Sequence, residues 1–256
     1  MDIIHTIILG IVEGATEFLP VSSTGHLILV SKLLAIPDST FLSTFEIAIQ
    51  CGAILAVVVL YWRSFLNWEL LKRIVVAFIP TAVIGLLVYP FIKGYLLGNA
   101  LVVVIALFVG GIALIVFEYF HTERQGAVST PEAITYRQAI AIGFFQAIAV
   151  IPGVSRSAAT ILGGLSVGVR RIAIVEFSFL LAVPTMAAAT GLDLLKSYKS
   201  ITSADLGILL LGTAVAFVVA LAVIRFFLSY VRRHTFIPFG VYRIILALVF
   251  FFLVLR

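Results

Sequence analysis

Apolar residues run in long blocks along this chain, separated by short polar gaps. Six blocks approach the length of a helical bilayer span, about 20 apolar residues. They fall near 45–62, 73–92, 100–119, 174–194, 205–228 and 239–255. Two further blocks, roughly 3–34 and 138–167, are interrupted by proline and glycine among hydroxyl residues, at Pro20 to Gly25 and Pro152 to Ser157. Neither reads as one straight helix. A helix, a break and a second short helix returning to the same face form a re-entrant hairpin, since irregular backbone at membrane depth survives only where it lines a cavity or is buried in protein. The simpler alternative is a crossing helix kinked at its proline.

The two broken blocks resemble each other at an offset of 133 residues. Gly10 then falls on Gly143, Glu13 on Gln146, Val21 on Val154, Ser22 on Ser155, Ser23 on Arg156 and Thr24 on Ser157, while Phe45 meets Phe177 at 132. A duplicated unit follows, each copy holding one hairpin and three crossings. Three is odd, so the second copy enters from the opposite face. The expectation is an all-α integral membrane protein of one domain, residues 1–256. Its six transmembrane helices and two re-entrant helical hairpins form an inverted repeat, with copies at about 1–122 and 134–256 and a ligand site near the midplane.

Composition agrees with a membrane protein: 62% of 256 residues are hydrophobic, 11% are charged, and the mean hydropathy is +1.23. The net charge of +5 has no basic or aromatic patch pattern, so nothing supports nucleic-acid binding. Met1-Asp2-Ile3-Ile4-His5 lacks a basic leader, so the N-terminus is expected to be retained. Cys51, the one cysteine, excludes an intrachain disulfide and suits helix packing beside Gly52. Loop charges set the orientation. Arg63, Lys72, Arg73, Arg124, Arg137, Arg170, Arg171, Arg232 and Arg233 lie on one face, and Lys32, Lys93, Lys196, Lys199 and Arg256 on the other. Nine against five makes the first face cytoplasmic and puts both termini outside.

The breaks carry the candidate chemistry, because an ionised side chain at membrane depth costs roughly 2.5–3.5 kcal/mol and marks function by default. Glu13 and Glu17, one helical turn apart, repel each other. A divalent cation, a shared proton or a nearby arginine would compensate. After Pro20, the hydroxyls of Ser22, Ser23 and Thr24 with Gly25 open a half-helix whose free N–H groups favour an anion. His26 follows three residues after Ser23, so either Ser23 with His26 as base or His26 itself is a candidate nucleophile, oriented by Glu17. The second break repeats the anion-binding design without acids: Gly153, Ser155, Ser157 and Thr160 surround Arg156, a side chain suited to phosphate. Glu46 and Gln50 share a face and can line the same cavity, whereas Glu176, Asp193, Arg225 and Arg243 are expected to anchor at the interfaces.

Glu13-Gly-Ala-Thr-Glu17-Phe-Leu-Pro-Val-Ser-Ser-Thr-Gly-His26 resembles the (E/Q)xxxE block and following Ser/His segment of the undecaprenyl-diphosphate phosphatases, the bacitracin-resistance family of bacterial membrane proteins. Pro152-Gly153-Val154-Ser155-Arg156-Ser157-Ala-Ala-Thr160 resembles that family's PGxSRSxxT motif at every fixed position. The resemblance covers essentially the whole chain. It implies hydrolysis of undecaprenyl diphosphate to undecaprenyl phosphate and inorganic phosphate in the bacterial cytoplasmic membrane, recycling the lipid carrier of cell-wall synthesis and conferring bacitracin resistance. It also implies a site open to the outer face and a divalent cation, magnesium or calcium. On this reading Glu17, Ser23, His26 and Arg156 are catalytic; Ser22, Thr24, Gly153, Ser155, Ser157 and Thr160 bind substrate; and Glu13 with Glu17 holds the cation.

The rival reading is a polyprenyl-phosphate flippase or ion-coupled transporter, since broken helices meeting in mid-membrane are a transporter device. A carrier needs no nucleophile, and the Ser–His pair beside Glu17 argues for bond breaking. A pure scaffold leaves the ionisable cluster unexplained. Gly110-Gly111 and Gly163-Gly164 permit close helix contacts, including those of a homodimer.

Overall fold

The structure, a computed structural model, describes residues 1–96, 99–123, 125–197 and 205–255, without the side chains of 93, 192–197, 254 and 255. Arg124, Lys199 and Arg256 of the loop-charge count lie outside the described residues, as do the side chains of Lys93, Asp193 and Lys196.

The described chain is helical. The first broken block forms α1 (Ile3–Thr16) and α2 (Ser23–Leu33); then come α3 (Thr40–Leu60), α4 (Trp68–Phe91) and α5 (Ala100–Phe120). The second broken block forms α6 (Tyr136–Ala147) and α7 (Arg156–Ser166), followed by α8 (Arg171–Ser197), α9 (Leu206–Val231) and α10 (Ile237–Phe250). Among the described residues the one β-type pairing is the isolated bridge between Val128 and Val169. Polar residues start most of these helices by accepting otherwise unpaired amides: Asp2 for α1, Ser39 for α3, Asn67 for α4, Asn99 for α5, and Thr135 for α6 in a capping box with Gln138.

Among the described residues five helices are long and apolar enough to cross a membrane: α3, α4, α5, Arg171–Gly191 of α8, and α9. The expected block at 239–255 forms the shorter apolar helix Ile237–Leu253, and α1 is likewise short. The two breaks fall where proline and glycine placed them, at 17–22 and 148–155.

Packing follows a pairwise scheme. Helix α1 lies along α9 as α6 lies along α4; α3 packs on both α8 and α9, and α5 on α10. Glycines set the closest approaches. A Cβ on Gly10 would stand 2.8 Å from the Gly212 carbonyl oxygen of α9, and its counterpart on Gly143 would strike the Ala77 carbonyl of α4. Gly111 and Gly240 meet each other's carbonyls in the same way, at 2.7 Å, where α5 crosses α10. Gly110 faces Arg243, Gly163 faces Phe145 and Gly164 faces Ile174, so both glycine pairs noted in the sequence are occupied within the chain. At one end of the bundle Arg73 donates to the Ile134 carbonyl, Arg170 pairs through its backbone with Val128, and Arg171 reaches Glu118 at 2.6 Å. Basic residues of several loops on the face read as cytoplasmic are thereby gathered together.

Candidate active site

The two breaks meet inside the bundle. Glu17 ends α1, and its carboxylate serves two partners: Oε2 accepts from the Ser23 hydroxyl at 2.5 Å, and Oε1 from Arg156 Nη2 at 3.0 Å. Glu17 is buried and Arg156 partly so, with side-chain exposures of 8% and 11%. Ser23 opens α2 directly after Ser22, whose backbone sits in the left-handed region at φ 71°, ψ 94°. That conformation is costly for a residue with a Cβ and clusters at functional sites.

The second break is built without such strain. Ser155 caps α7 by accepting from the Ala158 amide at 3.2 Å, and glycine takes the one left-handed position, Gly153 at φ 90°. A Cβ on Gly153 would stand 2.8 Å from the Val103 carbonyl oxygen. Arg156 begins α7, donates from Nη1 to the Ser178 carbonyl at 2.9 Å, and lies over the Phe18 ring at 5.7 Å. The neighbouring hydroxyls join one break to the other. Ser157 donates to the Phe18 carbonyl at 2.8 Å, Ser155 approaches that of Leu19 at 3.4 Å, and Thr160 and Ser178 share a 2.5 Å bond beneath the guanidinium.

A cavity of about 760 Å³ opens above this junction. Glu17, Ser22, Ser23, Thr24, Ser155 and Arg156 line its polar end, joined by Gln50 from α3. Phe78, Ala82 and Leu86 of α4 and Met186, Ala188 and Ala189 of α8 line its apolar end, and Leu86 is 68% exposed on the flank of the bundle. The wall also carries Gln146, the repeat counterpart of Glu13. Its amide nitrogen donates to Thr81 at 2.9 Å and Thr185 at 3.0 Å, while its oxygen is buried without a partner.

The other residues singled out from sequence lie behind the cavity wall. The Gly153 carbonyl accepts from Arg243, Ser157 donates to the Phe18 carbonyl of the first break, and Thr160 bonds Ser178 of α8. His26 is directed elsewhere, with Nδ1 at 2.7 Å from the Ser22 carbonyl and Nε2 at 2.7 Å from the Tyr242 hydroxyl. Glu13 is fully buried, both carboxylate oxygens lack a partner, and the charges of Glu17, Glu46 and Arg156 act on it. Glu46 accepts from Ser31 at 3.4 Å and does not line the cavity, although Gln50 on the same helix does. Among the described residues no group of three or more His, Cys, Asp or Glu side chains is placed to hold a metal ion. Glu13, with two uncommitted oxygens, is therefore the available hard donor; Glu17 is already engaged.

One expectation is corrected. Arg243 does not anchor at an interface: it is 1% exposed in the centre of the bundle. Its guanidinium donates to the carbonyls of Leu107 (3.3 Å), Ala106 (2.9 Å), Pro20 (3.3 Å) and Gly153 (3.2 Å), so it ties both breaks to α5. The signal in the sequence was a charged residue inside the apolar block at 239–255; the Gly110-Gly111 surface it packs against is visible only in the structure. Arg225 is exposed and Glu176 partly buried.

Comparison with known proteins gives this arrangement its relatives. The family described as bacitracin resistance protein BacA matches residues 6–249. An undecaprenyl-diphosphatase of Persephonella marina is 51% identical over 256 residues, all of both chains. Enzymes of that name from Wolinella succinogenes and Aquifex aeolicus are each 50% identical, covering 98% and 96% of this chain and the same shares of their own. With both motifs inside the matched segment and the two breaks joined around Glu17 and Arg156, the chain belongs to the bacitracin resistance protein BacA family.

Proposed function

We infer that this protein hydrolyses undecaprenyl diphosphate to undecaprenyl phosphate and inorganic phosphate, recycling the lipid carrier of cell-wall synthesis and conferring bacitracin resistance. The observation that carries the reading is one carboxylate, Glu17, bonded to a hydroxyl nucleophile and to a phosphate-binding arginine at the polar end of a cavity with an apolar flank. The terminal phosphate enters against Arg156 and the hydroxyls of Ser22 and Thr24. Ser23 Oγ attacks the terminal phosphorus and gives its proton to Glu17; the bond to the bridging oxygen breaks, and undecaprenyl phosphate leaves. Glu17 passes that proton to the departing undecaprenyl phosphate; water then attacks the phosphoserine, Glu17 takes the water's proton and returns it to Ser23 Oγ as inorganic phosphate leaves. Arg156 stabilises the charge on the equatorial oxygens in both steps. Ser23 is favoured over His26 as nucleophile because it alone touches Glu17 and lines the cavity. The prenyl chain leaves along the apolar wall between α4 and α8. Lipid is as apolar as that wall, so affinity rests on the diphosphate.

A divalent cation, magnesium or calcium, would be held by Glu13, whose buried oxygens have no hydrogen-bond donor. Bound there, behind the cavity wall, it would offset the repulsion between Glu13 and Glu17.

The wider arrangement is six crossings and two re-entrant hairpins in an inverted repeat. The equivalent contacts of Gly10 with α9 and Gly143 with α4 support it, as do the self-paired contacts of α5 with α10 and α3 with α8. The gathered basic loops support a cytoplasmic face at that end, in the inner membrane, with the cavity opening toward the periplasmic side.

The test is phosphate release from undecaprenyl diphosphate by purified protein in detergent with magnesium, set beside Glu17→Ala, Ser23→Ala and Arg156→Ala. Release by the wild type and its loss in folded variants supports the reading. No release under any metal leaves lipid transport, measured in sealed vesicles, as the better account.

A further inference from the structure

His26 stands in a chain of contacts that runs away from the cavity. Its Nδ1 faces the Ser22 carbonyl at 2.7 Å. A carbonyl oxygen only accepts, so Nδ1 carries a proton and donates it. The same oxygen also accepts the first helical bond of α2, a longer one from the His26 amide at 3.4 Å, so the imidazole is its closer donor. On the far side Nε2 meets the Tyr242 hydroxyl at 2.7 Å, and the two rings stack with centroids 5.5 Å apart and planes 8° from parallel. Tyr242 projects from α10, is 44% exposed, and takes no part in lining the cavity.

The Ser22 carbonyl shares a peptide plane with the Ser23 amide. Ser22 holds a left-handed backbone without being glycine, and a neighbour must maintain it there. Rotation of that plane would swing Ser23 away from Glu17, which it now meets at 2.5 Å. Two contacts oppose rotation: His26 on the Ser22 carbonyl and Arg243 on the Pro20 carbonyl two residues earlier. His26 in turn can swing about its own side-chain bonds unless its outer nitrogen is held, and Tyr242 holds it.

We propose that Tyr242 is a positioning residue for the hydrolysis: through His26 it fixes the Ser22–Ser23 peptide plane that aims the Ser23 hydroxyl at Glu17. The proposal rests on Ser23 as nucleophile and makes His26 a clamp on backbone.

Tyr242→Phe keeps the ring and its stacking and removes only the hydroxyl. Loss of one such hydrogen bond should lower kcat for undecaprenyl diphosphate about 3- to 10-fold, with KM nearly unchanged because no substrate-binding group is touched. The same change in a His26→Ala background should cost nothing further, since Tyr242 acts through the imidazole. In a Ser22→Gly background it should cost less than in wild type, because glycine holds φ 71° without a restraining neighbour. Equal kcat for wild type and Tyr242→Phe, or full additivity with His26→Ala, overturns the proposal.

Rapid quenching of the wild type with substrate labelled in its terminal phosphate needs no variant. Acid-stable label on the protein, as for a phosphoserine, supports the clamp. Acid-labile label that disappears with His26→Ala makes His26 the nucleophile and overturns it. A wild type that releases no phosphate refutes the hydrolase reading itself and is separate from both outcomes.

Discussion

Arg156 and Glu17 stand 139 positions apart in sequence and meet at 3.0 Å, one from each of the two breaks. The pair is the point at which the two halves of the site become one. Arg156 also spends Nη1 on the Ser178 carbonyl and rests on the Phe18 face, so its planar fork is committed in two directions. Lysine reproduces the charge and not the fork. Arg156→Lys should reduce phosphate release about 10²- to 10³-fold, the usual cost of one transition-state donor, with the folded protein confirmed by its thermal transition.

Ser23 and Glu17, the pair proposed to carry the attack, meet at 2.5 Å. Ser23→Ala removes the nucleophile and should reduce turnover at least about 10³-fold. Glu17→Gln keeps the shape, removes the base and should lose about 10²- to 10⁴-fold. Single-turnover assays should show both losses in the chemical step, with substrate binding by Ser23→Ala retained.

Gly85 of α4 borders the apolar part of the cavity, and a Cβ there would meet only Val150 Cγ2, at 3.9 Å. Gly85→Leu therefore fits the fold and projects into the path assigned to the prenyl chain. The expected result is a several-fold rise in KM for undecaprenyl diphosphate and a smaller one for a short-chain prenyl diphosphate. Equal effects on both would place the chain elsewhere.

Gly110 leaves the space that the Arg243 guanidinium occupies; a Cβ at this position would collide with Nη2. Gly110→Ala should cost about 1–3 kcal/mol as an overpacked core site and should lower activity by displacing Arg243 from the Pro20 and Gly153 carbonyls. Gly207→Ala, at a position with nothing within 4 Å of the new methyl, is the comparison. Thermal unfolding and phosphate release measured on both variants check the expectation.

Glu13 has two buried oxygens and no partner. Glu13→Gln should raise the magnesium concentration needed for half-maximal activity by about tenfold or more, the scale on which losing a hard charged ligand is felt. Chelation followed by a magnesium titration reads this directly. Identical titration curves would remove Glu13 from any role toward the cation.

Much of this was legible in the residues because the signals were local. Pro20 to Gly25 and Pro152 to Ser157 forced breaks in apolar blocks, and both breaks are there. The 133-residue offset pointed to equivalent packing, and Gly10 and Gly143 make equivalent contacts. The cost of burying carboxylates pointed to a cation, a shared proton or an arginine near Glu13 and Glu17, and the structure places Arg156 and Ser23 on Glu17. Side-chain direction was less accessible. His26 shares a helical side with Ser23 by spacing only approximately, since positions three apart on a helix differ by about 60° around its axis; Ser23 faces Glu17 and the cavity, and His26 faces Tyr242 of α10. Ser157 and Thr160 looked like anion ligands and instead bond carbonyls and Ser178. Arg243 was misread because a charge in an apolar block was assumed to reach its end; four carbonyls can solvate a guanidinium, and nothing in the spacing announces them. Gln146 gave no signal beyond its place opposite Glu13 in the repeat.

The dependence on Arg243 bears on how the molecule is made. Pro20 and Gly153 belong to segments synthesised earlier, and the side chain that fastens both lies on α10, after every other helix among the described residues. Until α10 has entered the membrane and crossed α5 at Gly111 and Gly240, both turns lack that support. On the proposed mechanism a growing chain therefore carries Ser23, Glu17 and Arg156 in the bilayer without the geometry that makes them reactive, and competence arrives when α10 docks.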